Sequence, residues 1–199
     1  MTTIATYFES RFNTKKISEA MKFAKEKHAG QTRKFSGKPY VSHPADVMNI
    51  IQKFKSTSKN LEALKIASLL HDTLEDTDTT PMEIKKLFGN MVMSIVQELT
   101  SDSKKIEDKG KEKYLSEKMS NDLLSEKMSN DLTDYALVIK LADRLSNVKD
   151  IGTAKKSFAD KYGKETRAIL TSLTRDRKLT ATQNKLVAAI DDHISQFGY

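Results

Sequence analysis

The sequence predicts an all-α fold, a helical bundle of about eight to ten helices, on three observations. The chain of 199 residues holds only seven Gly and three Pro, whereas all-β folds need frequent turn residues. Apolar residues recur at helical spacing in several segments, and no stretch alternates convincingly between apolar and polar residues. Hydrophobic residues make up 38% of the chain, enough for one buried core. We expect one domain over 1–199, with a core over 15–150 and a helical packing segment over 151–199.

The composition excludes several classes of site and partner. The chain has no Cys, which rules out disulfides, thiolate nucleophiles, zinc fingers and iron–sulfur clusters. It also lacks an apolar run of about 18 residues and a signal-peptide pattern, so we expect a cytoplasmic protein without a membrane partner. A net charge of +7 suits an anionic partner such as a nucleotide, or simply a solvated basic surface. Because the basic residues are dispersed and no aromatic stacking platform is evident, nucleic-acid binding is not expected.

The first half of the chain predicts three helices in order. The first spans 15–28, and we interpret His28 on its apolar face as a structural histidine. A basic loop follows, and the second helix starts near Ser42, a good N-cap, with Pro44 in the first turn. The third helix is predicted over 60–73 from its Leu, Ile and Ala residues.

Further helices are predicted from caps and periodicity. Thr80 and Glu83 form the ends of a capping-box pattern, and the short helix that it opens should stop at Gly89. Residues 91–99 predict a buried helix, whereas the polar stretch 101–113 predicts a mobile loop. The remaining predicted helices cover 134–150, 157–174 and, after a second capping box at Thr180 and Gln183, 180–197.

A repeat interrupts this pattern. The nine residues Leu115–Leu123, LSEKMSNDL, recur identically at Leu124–Leu132. Nine helical residues make about 2.5 turns, so the two copies would face opposite sides of a continuous helix. Two short copies are too few for a solenoid, and we interpret the repeat as a recent duplication with one copy in a loop or at a lengthened, exposed helix end.

Four ionisable residues lie at the C-terminal end of the third predicted helix. His71, Asp72, Glu75 and Asp76 fall within an arc of about 140° on a helix. Burying such groups is costly unless they are paired or bind a metal. Adjacent imidazole and carboxylate ligands suit Mn²⁺, Fe²⁺ or Zn²⁺ better than Ca²⁺. Two ligands do not complete a site, so others should come from elsewhere in the chain.

Two further residues are candidates for the missing ligands. His43 lies at the start of a predicted helix, although alone it would be an ordinary helix-end residue. Asp143 shares the polar face of its helix with Lys140 and Asn147, although alone it would fit a salt bridge with Lys140 or Arg144. Together, two imidazoles and two carboxylates would come from His43, His71, Asp72 and Asp143.

Three motifs carry a family resemblance. HAGQTRKFSGKPYVSHP, LLHDTLEDT and IKLADRLSN, in this order, resemble the hydrolase motifs of Rel/Spo-type alarmone hydrolases within the HD-domain metal-dependent phosphohydrolases. The match covers about 15–150 of the chain. It implies an HD-domain helical bundle and an enzyme that removes the 3′-pyrophosphate of (p)ppGpp. Because 199 residues leave no room for a synthetase or regulatory domain, the resemblance is to the small alarmone hydrolases.

The resemblance also implies roles for individual residues. His43, His71, Asp72 and Asp143 match the ligands of one divalent metal ion, with Mn²⁺ usual in the family. Glu75 and Asp76 match the acidic pair that orients or activates the attacking water. Arg33 and Lys34 match the basic pair that contacts the nucleotide, Asn147 matches the asparagine at its sugar, and Lys140 and Arg144 lie beside it.

Two alternatives to this function stay open at this point. The same metal core could act on another nucleotide, such as NADPH or a signalling nucleotide. The chain could also be a nucleotide-binding module that has lost turnover, which the intact ligands and acidic pair disfavour. The helices after residue 150 fit either a packing layer or a dimer surface, so homo-oligomerisation is left open.

Overall fold

The structure is a computed structural model that describes residues 15–101, 103–120 and 130–198. Within these ranges the regular elements are helices, and the only strand-like pairing is a bridge between Thr32 and Pro39, so the all-α prediction is confirmed. None of the helices in these ranges has the length and apolarity needed to cross a bilayer. Two segments lie outside the described residues: the N-terminus, where a signal peptide would lie, and the centre of the repeat, 121–129. The interpretation of the repeat as a duplication therefore stays a prediction.

The chain forms two compact units. The first contains the described residues of 1–32 and 39–100, and the second contains 33–38 and the described residues from 101 onwards. The predicted single domain, with its division near residue 150, stays a prediction.

A buried central helix organises the first unit. The six helices of this unit are α1 (Lys15–Lys27), α2 (Ser42–Phe54), α3 (Leu61–Leu70), α4 (Thr73–Asp76), α5 (Pro81–Phe88) and α6 (Asn90–Leu99). Helix α3 packs against α1, α2 and α6, and its residues from Leu64 to Leu70 are all buried. Even Lys65 is only 1% exposed, and its Nζ donates to Gln52 Oε1 at 3.0 Å. Because α3 is buried on all sides, the residues at its C-terminal end are carried into the interior.

The predicted caps of the first unit are confirmed at α5 but not at α2. The Thr80 hydroxyl accepts from the Glu83 backbone and the Glu83 side chain accepts in return, and α5 ends at Gly89 with a φ of 91°. Helix α2 does begin at Ser42, but Val41 is the N-cap and no side chain caps the helix. The preceding turn explains this, because the N–H groups of Ser42 and His43 already donate to backbone carbonyls.

The second unit consists of long helices and a short polar pair. Its elements are α7 (Ser103–Lys109), α8 (Lys111–Ser120), α9 (Asn130–Asp150), a 3₁₀ turn (Ile151–Thr153), α10 (Lys156–Asp176) and α11 (Ala181–Ser195). Helix α9 packs against α11, and α10 packs against α8 and α11. The capping box predicted at Thr180 and Gln183 is confirmed at the start of α11.

The loop predicted over 101–113 is wrong. Residues 103–109 form α7 and residues 111–113 begin α8, separated by Gly110, whose φ is 81°. Polarity predicted the loop, but Lys, Glu and Ile are adequate helix formers, and polarity by itself does not break a helix. The chain turns only at Gly110, which adopts a left-handed conformation at no steric cost and whose N–H donates to the Ile106 carbonyl.

Candidate active site

The turn between α3 and α4 carries two of the predicted metal ligands, His71 and Asp72. Helix α3 ends at Leu70, and the Thr73 hydroxyl donates to the Leu70 carbonyl at 2.7 Å, taking up one of the acceptors left open at the helix end. The continuous helix predicted through residue 73 is therefore wrong at its end. The N–H of Asp76 still donates to the Asp72 carbonyl at 2.9 Å, so these two acidic residues lie one helical turn apart.

Two buried imidazoles and a carboxylate meet at this turn. His43 is 4% exposed and His71 is 2% exposed. Asp72 Oδ2 lies 2.9 Å from His71 Nε2 and 3.8 Å from His43 Nε2, and ligand nitrogens of the two histidines lie within 4.8 Å of each other. His71 Nδ1 lies 2.9 Å from the Ser68 carbonyl, which can only accept, so Nδ1 carries a hydrogen, and in the neutral imidazole Nε2 is then the electron-pair donor. The arrangement is that of a possible His and Asp metal site.

The acidic pair continues from this cluster into α4. Glu75 and Asp76 both reach solvent. Partial burial raises the pKa of the Asp76 carboxyl, and the negative charges of Asp72 and Glu75 raise it further, against a smaller lowering by His28 and His71. The Asp76 carboxylate is consequently a stronger proton acceptor than an ordinary aspartate.

In the second unit, the polar face of α9 has the predicted composition. Asn147 Nδ2 donates to Asp143 Oδ1 at 2.6 Å, and Lys140 Nζ lies 3.5 Å from Asp143 Oδ2. The clustering of these three side chains on one face, predicted from helical periodicity, is confirmed. Both oxygens of the Asp143 carboxylate are held by neighbours on its own helix.

The basic pair Arg33 and Lys34 also belongs to the second unit. Arg33 is only 9% exposed, and its Nε lies 3.2 Å from Asp150 Oδ2. Lys34 Nζ lies 5.3 Å from the centre of the Phe158 ring and 5.8 Å from that of Phe35, and these two rings are 4.6 Å apart. Arg33 is thus buried and paired with an acidic residue of α9.

Arg144 is held by several groups of the second unit. Its Nη1 donates to Glu165 Oε1 and to Thr166 Oγ1, each at 3.3 Å. Its guanidinium lies over the Tyr162 ring at 4.7 Å. The guanidinium therefore already serves as a link between α9 and α10.

The family model described as the HD domain matches residues 20–179, which is most of the chain. The chain belongs to the HD-domain family. The family predicted from the three motifs is thereby confirmed. HD-domain hydrolases depend on a metal, in agreement with the two buried histidines beside Asp72.

Relatives of this HD-domain chain have consistent names. It is 38% identical over 174 residues to the guanosine-3′,5′-bis(diphosphate) 3′-pyrophosphohydrolase of Aquifex aeolicus (strain VF5), which covers 87% of the chain but 23% of that protein. It is 35% identical over 140 residues to the Danio rerio protein of the same name, MESH1, covering 70% of the chain and 71% of that protein. A solved structure, described as a metazoan ortholog of SpoT that hydrolyzes ppGpp, matches with a TM-score of 0.74 at 28% identity, covering 94% of the chain and 98% of that structure. The chain thus spans less than a quarter of the longer relative.

Within each unit, the structure brings predicted site residues of the HD domain together. These groups are His43, His71 and Asp72 in the first unit, and Lys140, Asp143 and Asn147 in the second. The sequence reasoning missed Tyr40, whose hydroxyl donates to Asp72 Oδ2 at 2.6 Å. Tyr40 lies inside the first quoted motif, three residues before His43, but loop spacing cannot show which side chain reaches the cluster.

Proposed function

We propose that this HD-domain chain is a metal-dependent (p)ppGpp 3′-pyrophosphohydrolase that releases pyrophosphate from the 3′ position. The observation that carries the proposal is the convergence of His43, His71 and Asp72 at the buried end of α3. Two relatives are named for action on this nucleotide, the Danio rerio protein and the solved structure. The chain covers most of the length of both.

The donor set of the first unit fits a divalent cation. Two imidazoles and a carboxylate form a mixed nitrogen and oxygen set, which suits Mn²⁺, Fe²⁺ or Zn²⁺, and the family resemblance favours Mn²⁺ among them. His43, His71 and Asp72 would hold the ion, and Asp143 is proposed as the fourth ligand from its place in the IKLADRLSN motif. When bound, the cation supplies Lewis-acid stabilisation of phosphoryl charge and makes water more acidic.

Glu75 and Asp76 are proposed to orient the attacking water and take its proton. Water adds to the 3′ phosphorus, and the bond from that phosphorus to the ribose oxygen breaks, so the products are pyrophosphate and a nucleotide with a free 3′ hydroxyl. The raised pKa of Asp76 favours this role, because a stronger base accepts the proton more readily near neutral pH.

The nucleotide is proposed to contact residues of the second unit. Arg33 would bind the base, Lys34 beside the Phe35 and Phe158 rings would bind a phosphate, and Asn147 would contact the sugar. Lys140 and Arg144 are proposed as further contacts of this small-molecule substrate. Since Glu165 and Thr166 already hold the Arg144 guanidinium, we expect it to contribute a fixed positive charge.

A nucleotide panel tests the proposal. The purified chain is stripped with a chelator and then assayed with ppGpp, pppGpp, GDP and NADPH, with and without added Mn²⁺. We expect pyrophosphate from ppGpp and pppGpp only when Mn²⁺ is present, and no release by Asp72→Asn. Phosphate release from NADPH without turnover of ppGpp would favour the other nucleotide hydrolase, and tight ppGpp binding without release would favour an inactive binding module.

A further inference from the structure

At the base of the loop between α1 and α2, in the first unit, Gln31 and Tyr40 face each other. The Tyr40 N–H donates to the Gln31 carbonyl at 2.9 Å, and the next residues inward, Thr32 and Pro39, form an antiparallel bridge. These backbone contacts place the side chains of Gln31 and Tyr40 next to each other, although nine positions separate them in the sequence.

Both side chains reach the segment that carries the acidic residues. The Tyr40 hydroxyl donates to Asp72 Oδ2 at 2.6 Å, a length typical of a hydrogen bond to an ionised carboxylate. Gln31 Nε2 donates to the backbone carbonyl of Asp76 at 3.1 Å. One contact therefore fixes a proposed metal ligand, and the other fixes the backbone of the proposed base.

His28 contacts the side chains of both Tyr40 and Gln31. Its ring centre lies 4.7 Å from that of Tyr40, and its Nδ1 lies 2.8 Å from Gln31 Oε1. Since the Gln31 amide nitrogen donates to Asp76, its oxygen must accept from the Nδ1–H of His28. His28 is 3% exposed, and its Nε2 has no hydrogen-bond partner among the described residues, so the ring is held through Gln31 and Tyr40.

We propose that Tyr40 and Gln31 are positioning residues that act as a clamp on the segment from Asp72 to Asp76. Tyr40 orients the carboxylate that binds the metal, and Gln31 holds the backbone from which the Asp76 carboxylate projects. The proposal rests on the proposed function, because it takes Asp72 as a ligand and Asp76 as a base. Partners of this kind behind a metal ligand typically contribute about 10- to 100-fold to metal affinity.

The first test removes only the Tyr40 hydroxyl. Mn²⁺ is titrated into metal-free wild type, Tyr40→Phe and the control Tyr135→Phe by calorimetry, with thermal unfolding of each protein measured alongside. We expect the Mn²⁺ Kd to rise about 10- to 100-fold in Tyr40→Phe and to stay unchanged in the control, with excess Mn²⁺ restoring turnover of Tyr40→Phe. A Kd within twofold of wild type in Tyr40→Phe would overturn the clamp and leave the proposed function intact.

The second test separates the two arms of the clamp. Gln31→Met keeps the length of the side chain but removes the hydrogen bond to the Asp76 carbonyl, together with the contact with His28 Nδ1. We expect kcat for ppGpp to fall about fivefold, the worth of one hydrogen bond, at unchanged KM and unchanged Mn²⁺ Kd. An unchanged kcat, or a Kd that weakens as much as in Tyr40→Phe, would contradict the separate role of Gln31. A wild-type chain that binds no Mn²⁺ would instead overturn the proposed function itself.

Discussion

At the scale of single residues, Asp76 illustrates how neighbours set a chemical role. Its pKa is raised by partial burial and then by the charges of Asp72 and Glu75. We predict that Asp76→Asn and Glu75→Gln keep Mn²⁺ binding but lose about 10²–10⁴-fold in kcat, the usual contribution of general acid–base catalysis. Because the base must be ionised, the wild-type rate should fall as the pH drops through the raised pKa of Asp76. Losses below tenfold in both variants would assign water activation to the metal alone.

Arg33 combines a proposed nucleotide contact with an ion pair. Its Nε lies 3.2 Å from Asp150 Oδ2, so removal of the side chain affects both. We predict that Arg33→Ala raises KM for ppGpp about 5- to 150-fold with a smaller effect on kcat, as expected for loss of base stacking. The matched control is Asp150→Asn, which removes the ion pair and keeps the guanidinium. If both variants lower the melting temperature equally and leave KM unchanged, Arg33 is only a structural residue.

Tyr162 gives a prediction for alkaline pH. Burial raises the pKa of Tyr162 to about 12, against the opposing charge of Arg144 over its ring. In the unfolded chain the pKa of a tyrosine is about 10. The neutral phenol of Tyr162 therefore makes its full contribution to the free energy of unfolding below pH 10, and this contribution is lost as the pH rises to about 12. The loss amounts to about 3 kcal/mol at most. Absorbance titration should resolve one tyrosine that ionises near pH 12, and Tyr162→Phe should remove it; six tyrosines that ionise together would contradict this.

At the scale of helices, the capping boxes give a local measure of stability. The Thr80 hydroxyl accepts from the Glu83 N–H at 3.3 Å at the start of α5. We predict that Thr80→Ala lowers the free energy of unfolding by about 1 kcal/mol, measured by urea denaturation. The control is Thr171→Ala, an exposed threonine inside α10, which should be neutral or slightly stabilising. Equal effects of the two substitutions would exclude a specific contribution of the cap.

Helix ends were predictable where a local interaction decides them. The capping boxes at Thr80 and Thr180 and the stop at Gly89 depend on residues within a few positions of one another, and all are confirmed. The end of α3 was mispredicted because the backbone departs from ideal helical angles at Asp72, with φ −99° and ψ −4°, and helical periodicity does not register such a local change. The burial of Lys65 was equally hidden, since it depends on α1, α2 and α6 surrounding α3.

At the scale of the whole molecule, the proposed metal should stabilise the fold. A ligand that binds only the folded state at 100 times its Kd adds about 2.7 kcal/mol. For a chain of this size we expect Mn²⁺ to raise the melting temperature of chelator-treated protein by about 5–10 °C. Asp143→Asn should reduce that rise if Asp143 is a ligand. The same rise in the double variant Asp72→Asn, Asp143→Asn would place the bound ion elsewhere.

The sequence by itself determined the helical class, several caps and the family, because periodicity, capping and motif order act over short stretches of chain. It also placed Lys140, Asp143 and Asn147 on one face, since a helix repeats every 3.6 residues whatever surrounds it. Only the tertiary structure decided that Tyr40 and Gln31 reach the segment after α3 and that Arg33 pairs with Asp150. These contacts join residues far apart in the chain, and their distances depend on how helices and loops pack, which no local pattern of residues specifies.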